Sequence, residues 1–268
     1  MTQHKIGEAK PRPGFPAKLD LHNKSASPVR PAMVASTGAS QKPVTRLTHG
    51  VGLDSMAVRQ SMVSKLAQQG LKDAEVLRAM GTIERHRFVD TALVNQAYED
   101  TSLPIGLGQT ISKPGVVCRM LELLRQGNPG RLGRVLEIGT GCGYQAALLS
   151  MLCHEVYSME RLRGLHDKAR DNLRHLRLTN LHLLFGDGMP GYARGAPYAG
   201  IIAAAGGEAE PQAWIEQLAV GGRLVAPVSA GATSAGKQVL MVIDKTTQGI
   251  HQTVMEGVFF VPLKSGIA

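Results

Sequence analysis

The sequence predicts an α/β protein with a doubly wound, mostly parallel sheet, preceded by helices and closed by an antiparallel strand pair. Three observations predict it. Between residues 134 and 228, short runs rich in Val, Ile, Leu and Ala alternate with stretches of helical period, the pattern of βαβ units. The first run, Arg134–Ile138, ends in a turn with glycine at 139, 141 and 143. The next two end at Glu160 and at Asp187, the carboxyl ends of strands, where open α/β sheets bind ligands.

Residues 1–52 carry six prolines (Pro11, Pro13, Pro16, Pro28, Pro31, Pro43) among Ser, Thr, Gly and Lys, with no sustained apolar period. They read as a disordered basic extension, with 53–268 as the folded domain. Asp54 is placed to cap a helix with Met56, Met62, Val63 and Leu66 at helical spacing, and Gly70 ends it. Asp73 caps a second helix with Val76, Leu77 and Met80 on one side; Met56, Met62 and Met80 read as core. A short helix covers Thr91–Ala97, Leu103–Ser112 reads as a loop, and Lys113-Pro114 opens a helix through Val116, Val117, Met120, Leu121 and Leu124. Beyond Arg134–Ile138 come a helix at Tyr144–Leu152, a strand at Glu155–Met159, a helix at Leu165–Leu176 and a strand at Leu181–Phe185. Then follow a strand at Ala199–Ala204, a helix at Pro211–Leu218 and a strand at Arg223–Val228. Val239–Lys245 and Thr253–Val261 form the closing antiparallel pair.

Composition narrows the function. The 268 residues carry a net charge of +9, but residues 1–50 hold eight Lys/Arg against Glu8 and Asp20, so six of those charges sit in the extension. The folded part is then too nearly neutral for a basic nucleic-acid face. No apolar run approaches the roughly 18 residues of a membrane helix, and the amino-terminal segment has no apolar stretch of the secretory type. Cys118, Cys142 and Cys153 form no C-x-x-C pair, which fits a reducing cytoplasm. The nine histidines show no ligand spacing, so no metal is expected.

The segment Val135-Leu136-Glu137-Ile138-Gly139-Thr140-Gly141-Cys142-Gly143-Tyr144 departs from the dinucleotide pattern G-x-G-x-x-G, because the third glycine arrives one residue early. With Glu137 inside it, the segment resembles motif I of the class I S-adenosylmethionine methyltransferases. Glu137, Gly139, Thr140, Gly141, Gly143 and Tyr144 are the expected cofactor residues. Glu160, 21 residues after Gly139, is placed to accept both ribose hydroxyls, although a strand-end surface charge would look the same. Asp187, between Gly186 and Gly188, is placed to accept from the adenine amino group, or alternatively to cap a helix.

Further segments carry a more specific resemblance: Arg87-Phe88-Val89-Asp90, Ala97-Tyr98-Glu99-Asp100, Leu103-Pro104-Ile105-Gly106, Gly108-Gln109-Thr110-Ile111-Ser112, Pro114, Gly221-Gly222 and Phe260-Val261-Pro262-Leu263. Over residues 54–268 the chain resembles the protein-L-isoaspartate (D-aspartate) O-methyltransferases. The resemblance implies methyl transfer from S-adenosyl-L-methionine to the α-carboxylate of an isoaspartyl residue. The product cofactor is S-adenosyl-L-homocysteine, the partners are damaged proteins and peptides, and the chain acts as a monomer. It implies Ser112 as the active-site serine, with Thr110, Ile111 and Gln238 near the substrate. Ser112 also reads as an N-cap for the helix after Pro114. The chain departs from the family pattern at Lys113, Gly115, Ala199, Phe259 and the stretch around Ala204, which motivates a second reading as a cofactor-binding homologue with altered substrate or lost catalysis. A nucleic-acid methyltransferase fits less well: Ala203-Ala204-Ala205-Gly206-Gly207 stands where an Asn/Asp-Pro-Pro-aromatic loop would hold an extruded base.

Overall fold

A computed structural model describes residues 56–231 and 237–268; the extension expected over 1–52 and the cap expected at Asp54 lie outside the described residues. Helix α1 (Met56–Gln68) packs on α2 (Ala74–Thr82). Asp73 Oδ1 accepts the N–H of Glu75 at 2.9 Å and of Val76 at 3.1 Å, as expected of an N-cap, a contribution of about 1 kcal/mol. Its other oxygen takes the buried Arg125 guanidinium at 2.9 Å. Met62 and Met80 are core, but Met56 is 60% exposed, which corrects its assignment. It begins the helix, a turn before the buried Arg59, at the open end of that face.

The segment expected to be a loop is instead an antiparallel hairpin, β1 (Leu103–Gly106) and β2 (Gln109–Ile111), with Leu103 opposite Ile111. Gly106, Leu107 and Gly108 all adopt left-handed backbone (φ 99°, 51° and 69°), which reverses the chain within a few residues. Strands of three and four residues are too short to display a period. After the hairpin comes α3 (Pro114–Arg125), as anticipated.

The main sheet then forms from β3 (Leu132–Ile138), β4 (Cys153–Glu160), β5 (Leu181–Phe185), β6 (Tyr198–Ala203), β7 (Leu218–Ser229), β8 (Gln238–Thr246) and β9 (Gly249–Val258). The intervening helices are α4 (Tyr144–Leu152), α5 (Arg163–Leu173) and α6 (Gln212–Gln217). Helix α5 stops three residues short of expectation because Arg174–Leu176 tightens into a 3-10 turn. Strand order is β5-β4-β3-β6-β7-β8-β9; the first five are parallel and β8 runs antiparallel to both its neighbours.

Alternation along each strand explains the nearly continuous apolar runs. Val135, Val156, Ile202 and Val225 join the core shared with α1–α4, whereas Leu136, Ile138, Ile201 and Leu224 pack on the other face with Trp214 of α6. Both faces are covered, as parallel sheets require. The chain winds outward from β3 to β5, then returns to β6 on the other flank of β3, which leaves a crevice at the carboxyl ends of β3 and β6. No helix among the described residues is long and apolar enough to cross a membrane.

Candidate active site

A cavity of about 440 Å³ occupies that crevice. Its floor is the turn Gly139–Cys142 after β3, Glu160–Leu162 after β4, Gly188 after β5 and Ala204-Ala205 after β6. The hairpin walls one side and Val261–Lys264 the other. Of the expected cofactor residues, Gly139, Thr140, Gly141, Tyr144, Glu160 and Gly188 line it.

Glu160 is the polar centre of the floor, and only 5% exposed. Its Oε2 accepts the Gly141 N–H at 2.9 Å and its Oε1 the Leu162 N–H at 2.9 Å. Each carboxylate oxygen keeps a free lone pair, so a pair of ligand hydroxyls can still be accepted. A cavity of this size, part apolar (Ile138, Met159, Leu165) and holding one carboxylate with spare acceptors, fits an adenosine-type group.

Gly143 does not line the cavity. It is left-handed (φ 92°), and an added Cβ would stand 2.8 Å from Leu173 Cδ1, so its role is to bring α5 against the turn. Glu137 also stands outside the lining, fully buried beneath the turn. Ser158 Oγ lies 2.5 Å from Glu137 Oε2 and 2.6 Å from Thr140 Oγ1, so the carboxyl reaches the cavity wall through two hydroxyls. Burial pushes this carboxyl up to about 8; Ser158 and the Gln145 amide oppose the shift and the Glu160 charge adds to it. Glu137 Oε1 and Gln145 Nε2 close no hydrogen bond, although both are buried.

Gly186 and Asp187 lie outside the lining as well. Asp187 caps no helix: its Oδ1 accepts the Met189 N–H at 2.9 Å and its Oδ2 the Gly266 N–H at 2.6 Å. The carboxyl-terminal segment therefore crosses the strand ends, fastened also by Arg161 Nε to Gly266 O at 2.8 Å and by Leu263 N to Gly206 O at 2.8 Å. Gln238 supports this segment from behind, accepting the Phe260 N–H at 2.7 Å.

Thr110, Ile111 and Ser112 line the hairpin wall. Ser112 also lines a second, more open groove of about 810 Å³ between α3 and the end of β9, so it stands where the two spaces meet. The capping alternative for Ser112 is corrected: Lys113 is the residue before α3 and no side chain on it or Ser112 caps the helix. Asp100 supplies that function from a distance, its Oδ1 accepting the Gly115 N–H at 2.7 Å while Lys113 Nζ sits 3.7 Å from its Oδ2. A Cβ at Gly115 would lie 3.0 Å from Asp100 Oδ1, so a side chain there would press on the carboxylate. Lys113, Gly115 and Phe259 border the groove and Ala204 the cavity. Ala199, near the start of β6, borders neither and packs beside Gly133.

Sequence reasoning passed over the residues that suspend the hairpin. Lys168 of α5 donates to Ile105 O at 2.8 Å and to Asp90 Oδ1 at 3.0 Å. Arg85, 0% exposed, donates to Ala97 O and Ser112 O, both at 2.8 Å. An arginine beside Glu84, His86 and Arg87 carries no mark of burial in the sequence.

The family model for protein-L-isoaspartate(D-aspartate) O-methyltransferase matches residues 57–268. A Methylibium petroleiphilum protein-L-isoaspartate O-methyltransferase is 54% identical over 264 residues, 96% of this chain and 97% of the relative. A Leptothrix cholodnii protein of the same name is 55% identical over 242 residues, 89% and 84% of the two chains. Among solved structures, a protein-L-isoaspartate O-methyltransferase superposes with a TM-score of 0.70 at 25% identity, covering 78% of this chain and 67% of that one. A Plasmodium falciparum structure named for the same activity, in complex with S-adenosyl-L-homocysteine, shares the fold with a TM-score of 0.65 at 23% identity, covering 77% and 98%.

Proposed function

The chain belongs to the protein-L-isoaspartate(D-aspartate) O-methyltransferase family, and on that premise we propose that it methylates the α-carboxylate of L-isoaspartyl residues in damaged proteins and peptides. S-adenosyl-L-methionine is the methyl donor and S-adenosyl-L-homocysteine the product. The observation that carries the reading is the position of Ser112, shared between the cavity at the strand ends and a second, more open groove.

Glu160, the Gly139–Gly141 turn, Gly188 and Ala204 would hold the cofactor. When bound, it supplies a methyl group on a sulfonium: the carboxylate oxygen–carbon bond forms as the carbon–sulfur bond breaks, and that electron pair passes to sulfur. The substrate carboxylate is ionised at neutral pH, so no general base is required of the chain. Ser112 has one task, donating to a carboxylate oxygen and aligning its partner. The hairpin and Val261–Lys264 keep water away from the reacting line. Methoxide leaves an ester far more readily than oxide leaves a carboxylate, so the neighbouring peptide nitrogen attacks the ester carbonyl and, losing its proton, expels methanol to close a succinimide, which water reopens in part to normal aspartate. We place the enzyme in the cytoplasm as a monomer, without a nucleic-acid partner.

The test pairs an isoaspartyl peptide with its aspartyl twin and labelled cofactor. Labelling of the first and almost none of the second is expected. Equal labelling of both, or cofactor binding with neither labelled, would refute the assignment.

A further inference from the structure

Arg85 is a buried cation without an anion. Its side chain is fully enclosed, and it forms no ion pair within 4.0 Å among the described residues. It donates to two carbonyl oxygens, Ala97 O and Ser112 O, and its Nη1 closes no hydrogen bond at all. Its guanidinium carbon lies 4.9 Å from the centre of the ring of Tyr144, which lines the cavity while Arg85 does not. Burial pushes its pKa down; the Tyr144 hydroxyl and the Cys142 thiol oppose this most, and the one carboxylate that does so, Asp100, contributes least and is already engaged by the Gly115 N–H and Lys113. A charge removed from water normally comes with a partner, because its desolvation is otherwise uncompensated.

We propose that the missing partner is the substrate: Arg85 is a positioning residue whose buried charge, held behind Tyr144 and one peptide from the Ser112 hydroxyl, draws the isoaspartyl α-carboxylate into register. The inference rests on the isoaspartyl reading of this site. The cations that border the two spaces, Arg161, Lys264, Lys113 and Arg119, lie nearer solvent, and Arg119 is paired with Glu122 and Glu256. Arg85 acts across a low-dielectric wall, where a charge is felt more strongly and salt screens it less. The chemistry adds a signature. The carboxylate loses its negative charge as its oxygen bonds to the methyl carbon, so a fixed cation favours the bound substrate over the transition state. Removing it raises KM and does not lower kcat in step.

The experiment measures binding, with no turnover, to enzyme saturated with S-adenosyl-L-homocysteine. The probes are a fluorescent isoaspartyl peptide and its isoasparaginyl twin, whose α-carboxylate is replaced by the neutral carboxamide. Wild type should prefer the carboxylate about tenfold or more, and the preference should persist from 0.05 to about 0.5 M salt. Arg85→Met should abolish the preference by weakening the carboxylate peptide alone, and Arg85→Lys should keep most of it. If Arg85→Met weakens both twins equally, Arg85 only braces the Ser112 segment and the proposal fails. A wild-type preference that collapses with salt moves the charge to an exposed lysine and overturns it without any variant, even if Arg85→Met does not fold. Wild type that binds neither twin refutes the isoaspartyl reading itself, and this proposal with it.

Discussion

On the sheet side of the cavity the backbone holds the ligand-facing atoms; on the hairpin side, side chains do. Gly139 N and Thr140 N both donate to Met159 O, at 2.8 and 3.2 Å, Ala204 N donates to Ile138 O at 2.8 Å, and Gly186 N to Glu160 O at 2.9 Å. The strand ends are thus stitched to one another past the last residues of the strands. Across the cavity, the hairpin pairs only with itself in the sheet topology. It stays in place through Lys168 to Ile105 O, Arg85 to Ser112 O, and the apolar side chains of Leu103, Ile105 and Ile111. Leu107 at its tip accepts left-handed backbone (φ 51°), a strain of about 1 kcal/mol or more, and lines the cavity.

The comparison breaks first at Glu160. Removing this carboxylate frees the Gly141 and Leu162 amides that it braces and, on the proposed cofactor reading, strips two ligand hydroxyls of their acceptor. Glu160→Ala is expected to weaken S-adenosyl-L-homocysteine binding by about a hundredfold, about 3 kcal/mol, in calorimetric titration. An unchanged dissociation constant would mean that the floor is set by strands alone.

Ser112→Ala acts on the other wall. It should lower kcat/KM on the isoaspartyl peptide about tenfold to thirtyfold, the worth of one hydrogen bond to a charged group, while cofactor affinity stays within a factor of two. Ser112→Asp should be worse than Ala, because it sets a negative charge against the substrate carboxylate. An Asp variant that turns over like wild type would remove Ser112 from the reaction.

A third effect is a pH dependence of stability under the floor. The folded-state pKa of Glu137 is raised from 4.5 to about 8, so the folded protein binds its proton more tightly than the unfolded chain. Its contribution is fully present below about pH 4.5 and is lost as pH rises through about 8. Glu137→Gln keeps the shape without the proton. Wild-type stability relative to this variant, from denaturant midpoints, should decline across that window. A flat difference would mean that the carboxyl is ionised throughout.

Much of this molecule follows from local order in the chain. Helix α4 begins and ends at Tyr144 and Leu152 and strand β5 at Leu181 and Phe185, as their apolar runs dictate, and Asp73 caps α2 through atoms two and three residues away. The succession of strands along the chain and the glycine turn after β3 are legible for the same reason: strands buried on both faces read as unbroken apolar runs, and a chain that must reverse at a strand end needs glycine. The contiguous residues Gly139–Gly141 then fall on the cavity floor without further information.

Only the tertiary structure decided which acids face the cavity and what holds its second wall. Glu137 and Glu160 are both strand carboxylates, but side chains alternate along a strand, and Glu137 points into a buried network while Glu160 comes at the end, where the sheet stops. Asp187 and Gln238 are held by a segment 79 and 22 residues further on. Arg85 reaches a carbonyl 27 residues away. Each is a polar group whose role depends on a partner brought close by the packing of other elements, and nothing in neighbouring residues specifies that distance.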